Sequence, residues 1–242
     1  MKAFSFCLYN SYNALYYDGL LENMAMIRLY YPDWNTYVYI GNDVPSSFAE
    51  RIGNAGGIVR YTHDTGPINM IYRFLAIEEP GVELMVVRDA DSRIHWKDRW
   101  AINEFVKSPY LAHSIRDCLV HCIPMLGGTW ALKREANVPI GLCFDHYKTA
   151  HSMMDETSKA IGKDQTFLNF YIWPRVRHSL LVHTSISFRS EGDTVVRFPF
   201  EWSNAIYVGR IEGPGYREPP MPQPLRASIV DTLPSIQVKL SR

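Results

Sequence analysis

Residues 83–94 read Glu83-Leu84-Met85-Val86-Val87-Arg88-Asp89-Ala90-Asp91-Ser92-Arg93-Ile94, an unbroken apolar run that ends abruptly in charge. A run without alternation belongs to a strand covered on both faces, as in the middle of a parallel sheet. Ligands of open α/β sheets bind outside the carboxyl ends of such strands, which is where Asp89 and Asp91 leave this one. Across the small Ala90, two carboxylates in extended backbone can reach toward one hard cation. Mg²⁺ or Mn²⁺ held this way keeps coordination positions for substrate phosphates, and a diphosphate substrate follows. The competing reading makes Asp89 and Asp91 turn-capping residues paired with Arg88 and Arg93 on the surface.

Outward from this strand the chain alternates. Ala3 to Leu8 reads as a buried strand, followed by the polar loop Asn10-Ser11-Tyr12-Asn13 and a helix carrying Leu20, Met24, Ile27 and Tyr31 on one face. Pro32 stops that helix, and Thr36 to Ile40 is rich in strand formers. A short helix from Pro45 to Ile52 precedes the Gly56-Gly57 turn and the strand Ile58 to Tyr61. The spacing of Ile68, Ile71, Tyr72 and Leu75 predicts an amphipathic helix leading back to Glu83–Arg88. Strands alternating with helices define an α/β half of the nucleotide-binding type. Beyond it the rhythm loosens. A helix from Trp96 to Val106 and a strand from Leu111 to Ile115 come first, then the glycine-containing stretch Ile123 to Leu132. Helices follow from Asp145 to Lys159 and from Lys163 to Ile172, the latter ended by Pro174, with a last core strand from Ser179 to His183. Beyond Gly209 stand Pro214, Pro219, Pro220, Pro222, Pro224 and Pro234, six of the fifteen prolines, so residues 1–210 form one domain and 211–242 a Pro-rich wrapping or mobile extension.

Composition excludes several roles. Among 242 residues, 25 Lys plus Arg balance 25 Asp plus Glu, which gives no electrostatic support for binding nucleic acid or an anionic membrane surface. At 47% hydrophobic and 21% charged, the chain can bury a large core, and disorder over most of its length is excluded. No apolar run approaches spanning length, and the run Ala3–Tyr9 is too short for a signal peptide, so the expectation is a soluble, cytoplasmic protein. Cys7, Cys118, Cys122 and Cys143 read as reduced, mostly buried thiols. Cys118 and Cys122, with His121 between them, lack the second ligand pair of a zinc finger. The oligomeric state is not legible.

Read in order, Tyr17–Met24 with Tyr31-Pro-Asp-Trp34, Met70–Ala76, Val87–Ile94, His113–Asp117, His121, Pro124–Trp130, Lys163–Leu168 and Leu181-Val-His183 resemble nucleotide-sugar glycosyltransferases of the GT-A fold with an Asp-x-Asp motif, in particular a small group from large DNA viruses and bacteria. The resemblance covers about residues 3 to 210. It departs where that group has Arg-Asp-His-Pro, because Arg116-Asp117 is followed here by Cys118 and Leu119. It implies a GT-A type fold, α/β with a mixed, mainly parallel central sheet. It also implies a metal-dependent transfer of sugar from a nucleoside diphosphate donor, a UDP-sugar, to a hydroxyl of a glycan or glycoprotein acceptor. Asp89 and Asp91 would hold Mn²⁺ or Mg²⁺, Asp91 as the more direct ligand, with His183 as a third. Arg73, Arg88 and Asp89 would help place the donor. Tyr9, Asn10, Ser11 and Tyr12 offer aromatic faces and short polar groups to a nucleotide base, and Gly127-Gly128 allows close backbone approach to sugar or phosphates. Asp164 and Gln165 would face the donor sugar, although Asp164 also suits a simple helix N-cap. An inverting reaction needs a base, for which Asp117 and Asp164 are candidates. A retaining one does not, and the Asp-Gln pair favours retention.

Two rival classes remain at this level. Sugar nucleotidyltransferases and metal-dependent phosphatases also use paired aspartates after strands, but no glycine- and basic-rich triphosphate loop occupies Asn10 to Asp18, and the aspartates follow the fourth strand, not the first. A carbohydrate-binding module without turnover would use the many aromatics, six tryptophans among them, and would be indifferent to UDP and Mn²⁺.

Overall fold

The computed structural model describes residues 1–152, 163–185, 195–200, 202–203 and 205–221. Its frame is one eight-stranded sheet in the order β3-β2-β1-β4-β6-β5-β7-β8. The first half follows the alternation in the sequence: β1 (Lys2–Leu8), α1 (Ala14–Tyr30), β2 (Asn35–Ile40), α2 (Ser46–Asn54), β3 (Ile58–Tyr61) and β4 (Leu84–Arg88), all four strands parallel. Asn13 caps α1 by accepting the Leu15 amide at 3.0 Å. Phe4, Phe6, Leu20, Met24, Ile27, Val38 and Val86 bury the α1–α2 face, while Cys7, Phe74, Met85, Val87, Trp130 and Phe167 bury the other.

The second half adds α4 (Trp96–Lys107), β5 (Ala112–Arg116), β6 (Thr129–Lys133), α5 (Ile140–Ser152), β7 (Leu180–Thr184) and β8 (Val195–Arg197). Strand β6 arises from the glycine-containing stretch and runs antiparallel to both β4 and β5, which makes the sheet mixed. That insertion positions the site. The register pairs Arg88 with Thr129, so Asp89, just past β4, lies beside Gly128, just before β6.

Three local expectations change. The helix predicted around Ile68–Leu75 is a single α-turn, α3 (Asn69–Tyr72), between 3₁₀ turns Gly66–Ile68 and Arg73–Glu78. Ile68, Ile71, Phe74 and Ile77 recur every third residue, the period of a 3₁₀ helix and not of an α-helix. Pro174 does not end its helix: α6 (Lys163–Phe167) passes through a π-turn at Leu168–Ile172 into α7 (Trp173–Val176). Pro174 sits in the first turn of α7, where its missing N–H costs no helical bond. Helix α5 begins at Ile140, five residues before the expected Asp145, and 153–159 of the expected helix lie outside the described residues.

Residues 211–218, assigned above to the extension, are bonded to the domain. Ile211 bridges Ser92, the Glu212 amide donates to Asp91 O (2.8 Å), and the Gly215 amide donates to Glu22 (2.6 Å). Glu218 accepts from the Tyr30 hydroxyl and the Trp96 amide. Pro222, Pro224 and Pro234 lie outside the described residues. Among the described residues no helix is long and apolar enough to cross a membrane.

Candidate active site

Where β1 and β4 end, two adjoining hollows share Cys7, Tyr9 and Tyr16. One, of about 340 Å³, is lined by Cys7 to Asn13 with Tyr16 and Tyr17; the other, of about 250 Å³, by Cys7, Tyr9, Tyr16, Met70, Arg73, Asp89 to Asp91 and Asp164. The predicted nucleotide loop and the predicted metal pair therefore open into one cleft. Asn10 turns that loop with a left-handed φ of 65°, a conformation Asn tolerates, and its carbonyl accepts from the Tyr17 hydroxyl at 2.6 Å. Tyr16 joins the lining without a sequence motif, and only its spacing from β1 could have suggested it; Met70 opens the Met70–Ala76 segment but is given no role there.

Arg73 is not a solvated surface charge. It is 3% exposed and joins two carboxylates, Asp89 through Nη1 and Asp164 through Nη2 (2.7 Å). The 3₁₀ geometry directs it there, since Phe74 packs edge-on against Trp130 at 5.1 Å and fixes the preceding residue at the sheet edge. Burial and then the neighbouring Asp89 push the Asp91 carboxyl up to about 6. The turn carrying both aspartates is clamped to α1: Asn23 donates to Ser92 O at 2.7 Å and accepts from the Ile94 amide, while Arg93 donates to Glu22 and to Ala90 O.

Gly127 and Gly128 are required by these carboxylates. A β-carbon at 128 would overlap the Asp89 carboxylate, and one at 127 the Asp164 carboxylate. The close approach expected of this pair is thus made by protein acids. Gln165 serves the same loop, accepting the Gly127 amide at 3.2 Å and donating to Met125 O at 2.8 Å. With both ends of its amide engaged, it positions Gly127. Asp164 lies inside the first turn of α6, not at an N-cap, and also accepts the Gln165 amide.

Three expected site residues lie elsewhere. Arg88, one residue before Asp89, points to the opposite face of the strand, where it is 1% exposed and bonded to Asp98 of α4 at 2.9 Å. Its place in donor binding gives way to a buried ion pair. His183 is 1% exposed, hydrogen bonded to His113 (2.7 Å) and edge-on to Trp100 at 5.1 Å. Burial pushes it down to about 4, and among the described residues no three His, Cys, Asp or Glu side chains gather to hold a metal. In this arrangement the ring of His183 is engaged by His113 and Trp100. Asp117 is fully buried, and its oxygens hold four partners: Lys97 Nζ (2.7 Å) and the Ser185 hydroxyl on Oδ1, the Val208 amide (2.9 Å) on Oδ2, and Trp202 Nε1 on its carbonyl. A carboxylate so occupied does not serve as a base. All four cysteines are free, Cys7 and Cys143 buried and Cys122 exposed.

No protein-family model matches the chain, and no curated protein matches it in sequence. Among solved structures, the galactosyltransferase LgtC, crystallised with donor and acceptor sugar analogs, aligns at 11% identity and TM-score 0.50 over 76% of this chain and 74% of that one. A glycosyltransferase involved in glycosylation of the major capsid of PBCV-1 aligns at 13% identity and TM-score 0.48, over 76% of this chain and 82% of that one. The 4-diphosphocytidyl-2C-methyl-D-erythritol synthase of Anaerococcus prevotii aligns at 12% and 0.45, over 80% and 93%. What the first of these shares with the present chain is the fold, and that fold is GT-A: one domain with a mixed, mainly parallel sheet flanked by helices.

Proposed function

We propose that the protein is a metal-dependent glycosyltransferase that moves a sugar from a nucleoside diphosphate donor, a UDP-sugar by preference, to a hydroxyl of a glycan acceptor. The observation that carries this reading is the meeting of Asp89, Asp91, Asp164 and Arg73 in one cleft continuous with the tyrosine-lined pocket. The donor set suits a hard divalent ion. Asp89 keeps 42% of its side chain exposed, and Asp91 is a carboxyl that burial and a like charge leave short of a cation. Two carboxylates with substrate phosphates are the usual complement for Mg²⁺ or Mn²⁺. Asp89 and Asp91 would hold the ion, which when bound neutralises charge on a departing diphosphate. Tyr9, Tyr12 and Tyr16 supply faces for the base, Arg73 holds Asp89 and Asp164 in register, and Gln165 keeps the Gly127 loop against them.

Retention fits the engagement of both base candidates, since Asp117 is sealed and Asp164 is ion-paired to Arg73. In that course the acceptor oxygen bonds to the anomeric carbon on the face from which the diphosphate leaves. The C–O bond to phosphate breaks, and the hydroxyl proton passes to the departing phosphate oxygen.

The test is nucleotide release from UDP-, GDP-, CDP- and dTDP-sugars, with and without Mn²⁺, in the wild type and in Asp91→Ala. The expected result is release from one nucleotide class, dependent on metal and lost in the variant. Turnover of no donor, with no response to metal, overturns the proposal.

A further inference from the structure

Along the edge of the sheet the loops stand in the order β1, β4, β6, β5. The tyrosine pocket belongs to the first of these and the aspartate pair to the second, so the loop after β5 stands on the side of the aspartate pair away from the nucleotide pocket. That loop is anchored at both ends. It starts from sealed Asp117 and finishes at Gly127-Gly128 on the Asp164 and Asp89 carboxylates. His121 stands between. Its Nδ1 accepts the Asp117 amide at 3.2 Å, so the proton of the neutral ring resides on Nε2. Burial, the largest influence, together with Arg116 outweighs Asp117 and Asp89 and holds the ring below its ordinary pKa, which keeps it a neutral donor. Among the described residues Nε2 has no hydrogen-bond partner.

The surroundings of His121 tie it to the reaction centre. A β-carbon at Gly209, whose φ is +86°, would stand 3.0 Å from Thr129 Cγ2 and 3.3 Å from His121 Cε1. Thr129 directly follows the glycine that lies on Asp89. Tyr207, partly exposed, meets the imidazole edge-on at 6.0 Å, and its hydroxyl is bonded to Cys118. A fixed neutral donor beside an aromatic ring is the chemistry that takes a sugar, the donor for a hydroxyl oxygen and the ring for the apolar face of the pyranose.

We infer that His121 and Tyr207 form the acceptor subsite, with Nε2–H donating to a non-reacting hydroxyl of a neutral pyranoside and the Tyr207 ring covering its C–H face. The inference rests on the glycosyltransferase reading above, and its test separates the two. With the donor found by the nucleotide panel held saturating, methyl glycosides of glucose, galactose and mannose serve as acceptor probes, and their acceleration of nucleotide release is titrated. His121→Asn keeps an oxygen where Nδ1 accepts the Asp117 amide but removes the far donor. His121→Gln restores a donor at the far position and drops the tether. The KM of the best glycoside should rise about tenfold in His121→Asn and in Tyr207→Ala, the value of one lost hydrogen bond or stacking contact. It should rise less than threefold in His121→Gln, and the donor KM should stay in place throughout. An unchanged glycoside KM in His121→Asn, a donor KM rising in step with it, or a wild type that no glycoside accelerates overturns the subsite. A wild type that releases no nucleotide from any donor sinks the glycosyltransferase reading itself and this inference with it.

Discussion

Arg73 and Lys97 are both buried cations that neutralise aspartates at the same edge of the sheet, yet they end in opposite situations. Arg73 reaches Asp89 and Asp164 from below, and the Asp89 side chain remains 42% exposed to the cleft. Lys97 reaches Asp117, whose side chain is fully covered and whose oxygens also hold Ser185 and the Val208 amide. The first cluster has lone pairs left over and an opening above them; the second is saturated and closed, with Phe198 4.5 Å from the ammonium. Chemistry needs acceptor capacity that the fold has not consumed, and unspent capacity separates a site from a structural ion pair more sharply than residue type.

The largest expected effect breaks the comparison directly. Asp91→Asn should reduce metal-dependent nucleotide release about a thousandfold. Its melting temperature without metal should hold or rise, because the change removes an acid that burial and Asp89 already disfavour. Asp117→Asn should do the reverse to the fold. Leaving Lys97 uncompensated in the interior costs about 3–5 kcal/mol, a fall of roughly 10 °C in a domain of this size. Thermal melts of both variants beside the donor panel decide it. An Asp117→Asn protein that melts with the wild type and loses turnover would place Asp117 in the chemistry after all.

That contrast also marks how far the sequence could be read. The parallel half was legible because each strand there is a compact apolar run bounded by Pro, Gly or Asn, and because strands and helices alternate. Strand β6 was not, since Thr129–Lys133 carries no alternation of its own and directly follows Gly127-Gly128; its antiparallel place depends on neighbours distant in sequence. Asp89, Asp91, Asp164 and Arg73 were legible as chemistry-bearing residues, and the fold gathers them. Arg88 shows the limit within one strand: the two-residue period sends it to the face opposite Asp89, and only the presence of Asp98 there turns a candidate ligand into a structural pair. His183 and Asp117 fail for the same reason. Ser185 and the Val208 amide occupy the Asp117 carboxylate and His113 occupies His183, all from segments far along the chain, and no spacing announces it.

The glycines test the open cluster at a smaller scale. Gly128→Ala puts a methyl where the Asp89 carboxylate lies, so Asp89 must turn away and release should fall about a hundredfold, with the melting temperature lowered by a few degrees at most. Unchanged release would show that Asp89 is not held where the transfer occurs.

The smallest effect belongs to the closed side, and acid reveals it. Burial pushes His183 down to about 4 from an ordinary 6.5, and His113 lies well below 6.5 through burial, His183 and Arg88. The pair packs against Phe105, Trp100 and Phe198, so no carboxylate among these contacts offers to share the proton. Both histidines bind protons more readily in the unfolded chain, which means their stability is fully present above pH 6.5 and declines as pH falls toward 4, by at most about 1.4 kcal/mol per pH unit for each ring. Asp91 acts with the opposite sign, since its raised carboxyl takes up a proton in the folded state as pH drops through about 6. The slope is therefore read in metal-free Asp91→Asn, where the melting temperature should fall from pH 7 to pH 4.5 more steeply than in the wild type. Parallel curves for the two proteins would mean that the Asp91 carboxyl is not raised in the folded chain, while a flat Asp91→Asn curve would mean that the histidine pair titrates as it does in the unfolded chain and that this half of the sheet is less sealed than its packing implies.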